Sequence, residues 1–279
     1  MDELRIWHTI RSIDELKEFA QKPITTDSNL TLKSDANGTA SIGNSAGAIS
    51  GNVTVERFIP GKRAWRALTS PVIGSTNNSV YANWQNGGIV SSGVGVELWS
   101  STGGNGMGIG PSNSILQYNN TSNPVAWDAV TNTNTTNLFD SNINNAFMVF
   151  VTGPYATTST NITNSNAVDT TLKATGQLIL GTKNYLNVPS DVPTLIGNPY
   201  ASPISPLSLL NGNTNFASNL WIWDAKATNN NSVGAFNSFD RVANRYTNIT
   251  NTTLTPTTPD IQSGQAFFVK ANSGTATLT

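Results

Sequence analysis

The sequence predicts an all-β protein made of one or two β-sandwich units of a jelly-roll-like kind, with one short helix near the N-terminus. Short segments of alternating apolar and polar residues are separated by clusters of Gly, Asn, Pro and Ser, which is typical of strands joined by turns. Beyond residue 22, no segment keeps a helical period over ten residues. Only 11% of the 279 residues are charged, so Thr and Asn supply much of the polar surface. Thr favours strands and Asn favours turns, which suits the same fold.

The first 22 residues differ from the rest because they carry both a strand pattern and a helix pattern. Apolar and polar residues alternate from Leu4 to Ile10, as in a half-buried strand. Ser12 and Glu15 have the spacing of a capping box, and Pro23 ends the helix that follows it. We therefore expect residues 1–27 to form a separate strand, turn and helix. The acidic first residues are followed by no apolar stretch, so we expect no signal peptide here.

From residue 28 onward the pattern is that of strands and turns. Asp35-Ala36-Asn37-Gly38 is a turn sequence between two short strands. The predicted strands are Asn29–Ser34, Thr39–Gly43, Asn52–Ile59, Ala64–Leu68, Val94–Trp99, Ile115–Tyr118, Phe147–Val151, Gln177–Gly181, Asn219–Trp223 and Ala266–Lys270.

Weak internal similarity predicts a duplicated β unit. Three pairs of segments resemble each other in the same order at offsets of 118 to 132 residues, namely 51–55 with 176–180, 69–72 with 201–204, and 143–151 with 261–269. We accordingly expect a first β unit at residues 28–160 and a second at residues 161–279. Apolar strands resemble one another by chance, so a single shared core stays open as the alternative.

The composition excludes several classes of function. With one histidine, His8, and no cysteine, the chain has no cysteine nucleophile, no Cys/His zinc cluster and no redox pair. The formal net charge of -1 argues against a nucleic-acid partner. No run approaches eighteen apolar residues, so we expect no helical membrane span.

Acidic residues are too sparse to indicate an active site. The segment from Leu68 to Leu172 contains only Glu97, Asp128, Asp140 and Asp169, and no local motif pairs any two of them as a glycosidase requires. We expect neither enzymatic activity nor a cofactor. A structural calcium ion is the one metal left open, with Asp35–Gly38 and Asp224 near Asn229–Asn231 as the nearest approaches to a ligand set.

Tryptophan residues are the candidates for glycan contact, because an exposed indole offers a flat apolar face to a sugar ring. Trp221 and Trp223 alternate along one predicted strand and share a sheet face, which is either a core face or a sugar platform. The other three lie among Gly and Asn residues and are the better candidates for exposed aromatic residues in loops. The full set of candidate glycan contacts is Trp84, Trp99, Trp127, Trp221 and Trp223.

One dense basic group stands out in a chain of low charge. Arg57, Lys62, Arg63 and Arg66 are followed by no Lys or Arg until Lys173. Such a group pairs with local acids such as Glu56, or binds an anionic glycan or a carboxylate of a neighbouring domain. The sequence leaves these alternatives open.

Two stretches resemble known families. Met1-Asp2-Glu3-Leu4-Arg5-Ile6-Trp7, followed by Arg11-Ser12, resembles the C-terminal end of laminin-G-like, concanavalin A-like jelly-roll domains, which implies such a domain upstream. The second resemblance covers most of residues 28–272, and its segments are Asn29–Ser34, Val53–Ile59, Arg63–Arg66, Gly197–Tyr200, Trp221–Asp224 and Ser263–Val269. They resemble a β-rich module of large exported Bacteroidota proteins of the type IX secretion route.

This second resemblance implies an extracellular or cell-surface location and a non-catalytic structural or adhesive role, as a glycoprotein module. Asp169-Thr170-Thr171 is similar to an O-glycan acceptor pattern of such proteins, with Thr170 carrying the sugar. The alternatives are a carbohydrate-binding module that uses exposed Trp residues and, third, a glycan-active enzyme. The expected partners are neighbouring domains of a longer chain, surface glycans and further copies of the chain.

Overall fold

The computed structural model describes residues 24–43, 49–74, 77–122, 124–139, 145–155, 167–227, 233–248, 253–254 and 260–279. Strands dominate the described residues, which confirms the all-β prediction. The predicted N-terminal strand and helix, and His8 with them, lie outside these residues.

The first unit consists of two facing four-stranded sheets, two small two-stranded sheets and a short helix. Its strands are β1 (Ile24–Leu32), β2 (Ser34–Asp35), β3 (Gly38–Thr39), β4 (Ile49–Ile59), β5 (Ala64–Thr69), β6 (Val72–Ile73), β7 (Trp99–Ser100), β8 (Gly108–Ile109), β9 (Ile115–Asn119), β10 (Ala126–Ala129), β11 (Ala146–Val151) and β12 (Thr170–Leu178). The first sheet has the order β1-β4-β12-β6, in which β1 runs parallel to β4. The second sheet, β10-β9-β11-β5, is antiparallel throughout. Helix α1 (Val80–Asn83) starts at Ser79, whose hydroxyl accepts the Ala82 N–H.

The core of the first unit lies between its two sheets. Val55 and Leu172 of the first sheet and Phe147 and Ile115 of the second sheet are buried in one apolar cluster. Trp84, at the C-terminal end of α1, packs edge to face on Phe147 with the ring centroids 5.8 Å apart. The long connections of this unit therefore fold over the core.

The second unit consists of a wide sheet, a two-stranded sheet and a helix. Its elements are β13 (Tyr185–Pro189), β14 (Thr194–Gly197), α2 (Pro206–Gly212), β15 (Asn219–Asp224), β16 (Ala235–Asp240), β17 (Arg245–Asn248), β18 (Thr253–Leu254), β19 (Ala266–Val269) and β20 (Thr275–Leu278). The third sheet has the order β14-β19-β15-β16-β17-β18, and β13 pairs with β20 in the fourth sheet. Phe267 and Leu220 of the third sheet, Leu278 of the fourth and Leu210 of α2 form its core.

The two units repeat one topology. The order β10-β9-β11-β5 of the second sheet has the same connectivity as β16-β15-β19-β14 within the third sheet, and the pair β4-β12 corresponds to β13-β20. Each unit also places its helix between the first two strands of the repeated sheet. Strands β17 and β18 are an insertion between β16 and β19. The two units therefore share one strand topology.

Hydrogen-bond register decides which residues are equivalent. Met148 pairs with Ala67 and Leu116, as Phe268 pairs with Leu195 and Trp221. These pairs make Thr69 equivalent to Gly197 and β11 equivalent to β19.

Two of the three sequence alignments behind the repeat are wrong. Residues 51–55 and 176–180 begin in neighbouring strands of one sheet, β4 and β12, and are not equivalents. Residues 69–72 correspond to 197–200, not to 201–204. The third alignment joins equivalent strands, but it is displaced by two residues. The pattern of apolar residues alone does not determine the register between strands.

Strand β12 lies in the first sheet between β4 and β6, although residue 170 is beyond the predicted boundary at residues 160 and 161. Strand pairing changes from the first unit to the second between Leu178 and Tyr185. The boundary itself stays a prediction. Within the described part of the chain, neither helix has the length or apolar character needed to cross a membrane.

Tyr185 provides a pH-dependent test of the second core. Its hydroxyl donates to the Gly197 carbonyl at 2.6 Å, and burial, with a smaller contribution from Tyr200, raises its pKa well above the ordinary value of 10.0. Tyr185→Phe should lower the free energy of unfolding by about 1–2 kcal/mol at pH 8, because the carbonyl loses its donor. In the unfolded chain the tyrosine ionises near pH 10, so the hydroxyl's contribution is complete below that pH and is lost above it.

The stability difference between wild type and Tyr185→Phe should accordingly shrink between pH 8 and pH 11 in urea unfolding. Tyr246 is present in both proteins and cancels in the comparison. A difference that stays constant with pH would contradict the burial of this hydroxyl.

Candidate functional site: the seam between the units

The two units pack against each other through equivalent sheet faces. The outward face of the second sheet meets the outward face of the third sheet, and we call this interface the seam. Its apolar cluster consists of Trp65, Ala67, Leu116, Ala146 and Met148 from the first unit and Leu195, Trp223 and Ala266 from the second. The second sheet is therefore covered on both faces.

Small residues let the two sheets approach closely. A Cβ atom on Gly197 would lie 2.3 Å from the Cβ of Thr69, a separation that real side chains do not adopt. The Thr69 N–H donates to the Gly264 carbonyl at 3.0 Å, and the Trp65 N–H donates to the Val233 carbonyl at 3.1 Å. Backbone hydrogen bonds thus join the units directly.

The basic group of the sequence lies at the edge of the seam. Arg57 donates through Nη1 to the Ser263 carbonyl at 2.5 Å, and the Lys62 ammonium donates to the Ala225 carbonyl at 2.6 Å. Both acceptors belong to the second unit. Arg66 donates to the Trp65 and Lys62 carbonyls and so fixes the turn between β4 and β5. These cations stabilise contacts within the molecule.

Burial changes the acidity of two of these guanidinium groups. Burial, with repulsion from Arg66 as the second cause, lowers the pKa of Arg57 to about 10. Burial also lowers the pKa of Arg66 to about 10, while attraction to Asp224 of the second unit opposes the shift. Both groups remain charged at neutral pH. The Asp224 carboxylate is the acid that acts electrostatically on this cluster from across the seam.

Glu56 pairs with lysines instead of with the arginine cluster. Its carboxylate lies 3.2 Å from the Lys33 ammonium and 3.8 Å from the Lys173 ammonium, and it accepts the Ser34 N–H. These contacts join β4 to β12 and to residues 33–34, which follow the end of β1. The alternative that Glu56 neutralises the basic group is therefore not what the described contacts show.

The candidate tryptophans occupy different environments. Trp84 and Trp99 are each only 3% exposed, so neither of these candidates is an exposed loop residue, because the segments that carry them fold over the first core. Trp223 is half-buried in the seam and packs edge to face on Phe236, with the ring centroids 4.8 Å apart. Trp221 is also half-buried. Trp127 is 38% exposed at the rim of the seam. Its ring centroid lies 5.0 Å from that of Tyr118 and 6.1 Å from that of Phe268. The five rings form no exposed row.

Thr170 is also buried. It begins β12, is 1% exposed, and donates its hydroxyl to the Gly95 carbonyl. The acceptor pattern in the sequence did not indicate that a buried strand starts at this residue. In the folded protein the hydroxyl is not accessible to a glycosyltransferase.

The candidate calcium and acid residues have structural partners. The Asp35 carboxylate accepts the N–H groups of Asn37 and Gly38 in the turn between β2 and β3, and Asp169 accepts the Gly61 N–H. Asp224 accepts the Lys226 N–H. Asp140 and Asn229–Asn231 lie outside the described residues. Among the residues that are described, no three His, Cys, Asp or Glu side chains come together to bind a metal ion.

Comparison with known proteins found one family model that part of the chain matches. Residues 169–279 match the model of a family described as a domain of unknown function, DUF8693. The match begins one residue before β12 and includes the whole second unit. No curated protein and no solved structure matches the chain.

Sequence reasoning did not find the seam, although a signal for it exists. Residues 146–151 and 266–269 are apolar at every position, which is the pattern of strands buried on both faces. The backbone acceptors Ser263 and Ala225 leave no such signal, since any residue type carries a carbonyl.

The close approach at Gly197 gives a direct test of the seam. Gly197→Ala should lower the free energy of unfolding by about 1–3 kcal/mol, because the new methyl group overlaps the Thr69 side chain. Gly212→Ala is the matched control, since a Cβ there meets nothing within 4 Å. Denaturant unfolding measures both. The double variant with Thr69→Gly and Gly197→Ala should regain part of the lost free energy of unfolding. Equal free energies of unfolding for Gly197→Ala and Gly212→Ala would contradict the packing described.

Proposed function

We propose that this protein is a non-catalytic structural and adhesive β module of an exported bacterial cell-surface protein with several domains. The resemblance of residues 28–272 to modules of large exported Bacteroidota proteins supports the export and the surface location. The seam supports the structural part. In it, two units are packed into one body by apolar contact and backbone hydrogen bonds.

The observation that supports this proposal most directly is the set of contacts that the cationic side chains make at the seam. Arg57 and Lys62 of the first unit bind carbonyl groups of the second, and Arg66 holds the adjoining turn. A catalytic or ligand-binding group must keep an atom available to its substrate. The described contacts of Arg57 and Lys62 instead serve the connection between the units, as a spacing module requires.

The outward face of the first sheet suits contact with neighbouring domains. Thr31, Thr54 and Thr175 lie side by side across β1, β4 and β12, and the Thr54 and Thr175 hydroxyl oxygens are 2.8 Å apart. Such a hydroxyl surface forms hydrogen bonds with little charge repulsion. We infer that other domains of a longer chain, or second copies of this one, pack against it.

Calorimetry tests the structural proposal. If the seam joins the units into one mechanical body, residues 24–279 should unfold in a single transition with an enthalpy on the order of 180 kcal/mol near 60 °C. The van't Hoff enthalpy should then equal the calorimetric enthalpy. Two separate transitions, each with about half of that enthalpy, would remove the basis of the proposal.

A second candidate function is carbohydrate binding at Trp127. This residue is the one among the five candidate tryptophans with an exposed ring at a sheet edge, and Tyr118 supports it. Asn119 and Asp128 are joined by a hydrogen bond of 2.8 Å, but the pairing of Trp127 with Tyr118 places both of them on the opposite face of the β9-β10 pair. A sugar ring could stack on the indole.

A glycan array with matched variants separates the two functions. If Trp127 binds a sugar, Trp127→Ala should weaken binding about tenfold or more, while Val125→Ala, which alters an equally exposed apolar residue two positions away, should not. Binding that is absent, or equal in all three proteins, eliminates the carbohydrate function.

A further inference from the structure

Two rows of polar side chains cross the outward face of the first sheet. Strand register places Thr31, Thr54 and Thr175 side by side on β1, β4 and β12, and we call them the threonine row. Two residues further along, Glu56 of β4 pairs with Lys173 of β12. Residues that share a face of a strand follow each other at about 6.6 Å, so the two rows are about this far apart.

A lysine completes the second row. Lys33 follows the end of β1, and its ammonium lies 3.2 Å from the Glu56 carboxylate. We call Lys33, Glu56 and Lys173 the charged row. The Lys173 ammonium lies 3.8 Å from the same carboxylate, which is within ion-pair distance but too long for a hydrogen bond.

A groove of about 280 Å³ lies over both rows. The rows form its floor, and Ala82, Asn83 and Asn86 form its wall on the side of α1. Asn83 is buried and held in place, because Oδ1 accepts the Thr175 N–H at 3.1 Å and Nδ2 donates to the Ser79 carbonyl at 3.0 Å. The fold thus fixes a concave site whose surface is almost entirely polar.

The charged row has more hydrogen-bond donors than acceptors. The Glu56 carboxylate is buried, and its second oxygen already accepts the Ser34 N–H at 3.2 Å. Two ammonium groups with three donors each therefore face one carboxylate, and the net charge of the row is positive. This surplus favours a ligand with an anionic group, because charge-assisted hydrogen bonds are the strong ones.

The threonine row offers donors and acceptors together. The Thr54 and Thr175 hydroxyl oxygens are 2.8 Å apart, so one hydroxyl donates to the other and the pair keeps one proton for a ligand. Thr31 brings a third hydroxyl to the groove. Hydroxyl groups of a ligand match such a row, whereas an apolar ligand would leave these groups without partners.

We propose that this groove binds an acidic sugar residue, with its carboxylate at the Lys33 and Lys173 ammonium groups and its ring hydroxyls on the threonine row. A uronic acid in its ring form carries the carboxylate on one side and hydroxyl groups on the other, as a charged row beside a hydroxyl row requires. The site is separate from the Trp127 ring. The inference goes beyond the proposed structural role and does not rest on it.

Isothermal titration calorimetry of the whole protein tests the ligand class. The probes are trisaccharides of galacturonic acid and of mannuronic acid, and at least one should bind. The matched neutral trisaccharides of galactose and of mannose should bind about tenfold more weakly or less, because they lack the carboxylate. Acetate should bind far more weakly than the acidic sugar, because it has no hydroxyl groups for the threonine row. Binding of neither acidic sugar, or equal binding of a neutral sugar or of acetate, would overturn the proposal.

Variants locate the binding in the groove. Lys173→Gln should weaken binding of the acidic trisaccharide about tenfold or more, and Lys173→Arg, which keeps the charge, should retain most of it. Thr175→Val should weaken binding, whereas Thr175→Ser keeps the hydroxyl and should not. Lys226→Gln is the matched control, since it removes the same charge from an exposed residue of the second unit. Binding that survives Lys173→Gln, or that falls equally in Lys226→Gln or in Trp127→Ala, would contradict this site.

Discussion

The close approach of the two equivalent sheet faces is the constraint on which the rest of the structure depends. Gly197 leaves room for Thr69, and Ala67 and Ala266 belong to the same contact cluster, so two sheets meet without a layer of large side chains between them at these positions. Trp65 and Trp223 pack around the small residues. Because the strands in the middle are apolar on both faces, neither unit could expose its inner sheet to water without a large loss of hydrophobic stabilisation.

The scarcity and placement of charge follow from this arrangement. A seam of this kind contains backbone carbonyls that strand pairing does not satisfy, and Arg57 and Lys62 donate to two of them. Glu56 of β4 similarly pairs with Lys173 of β12 and with Lys33, which follows β1. Charged side chains thus serve the fold, and Thr, Asn and Ser provide the polar surface. This division of roles is the physical reason for proposing a structural module.

The sequence predicted the fold class and most long apolar strands, such as β4, β5, β11 and β15, because alternation and apolar runs depend on local residues alone. It missed short strands such as β13, whose register shifts between Tyr185 and Val188. It made Trp84 and Trp99 candidates for exposed loop residues, because Gly and Asn neighbours indicate turns but do not show whether a turn folds over a core. For a similar reason it did not show that Thr170 is buried. Contacts across the seam depend on register and carbonyl groups, which residue patterns do not encode.

Native-state hydrogen exchange of the amides that cross the seam tests the central claim most directly. The Thr69 and Trp65 N–H groups bind carbonyls of the second unit. If the units form one body, these two amides should exchange only through global unfolding, with the same free energy as the buried amides of β4. Exchange of both through a low-energy opening, while the β4 amides stay protected, would show that the units separate readily and would contradict this account.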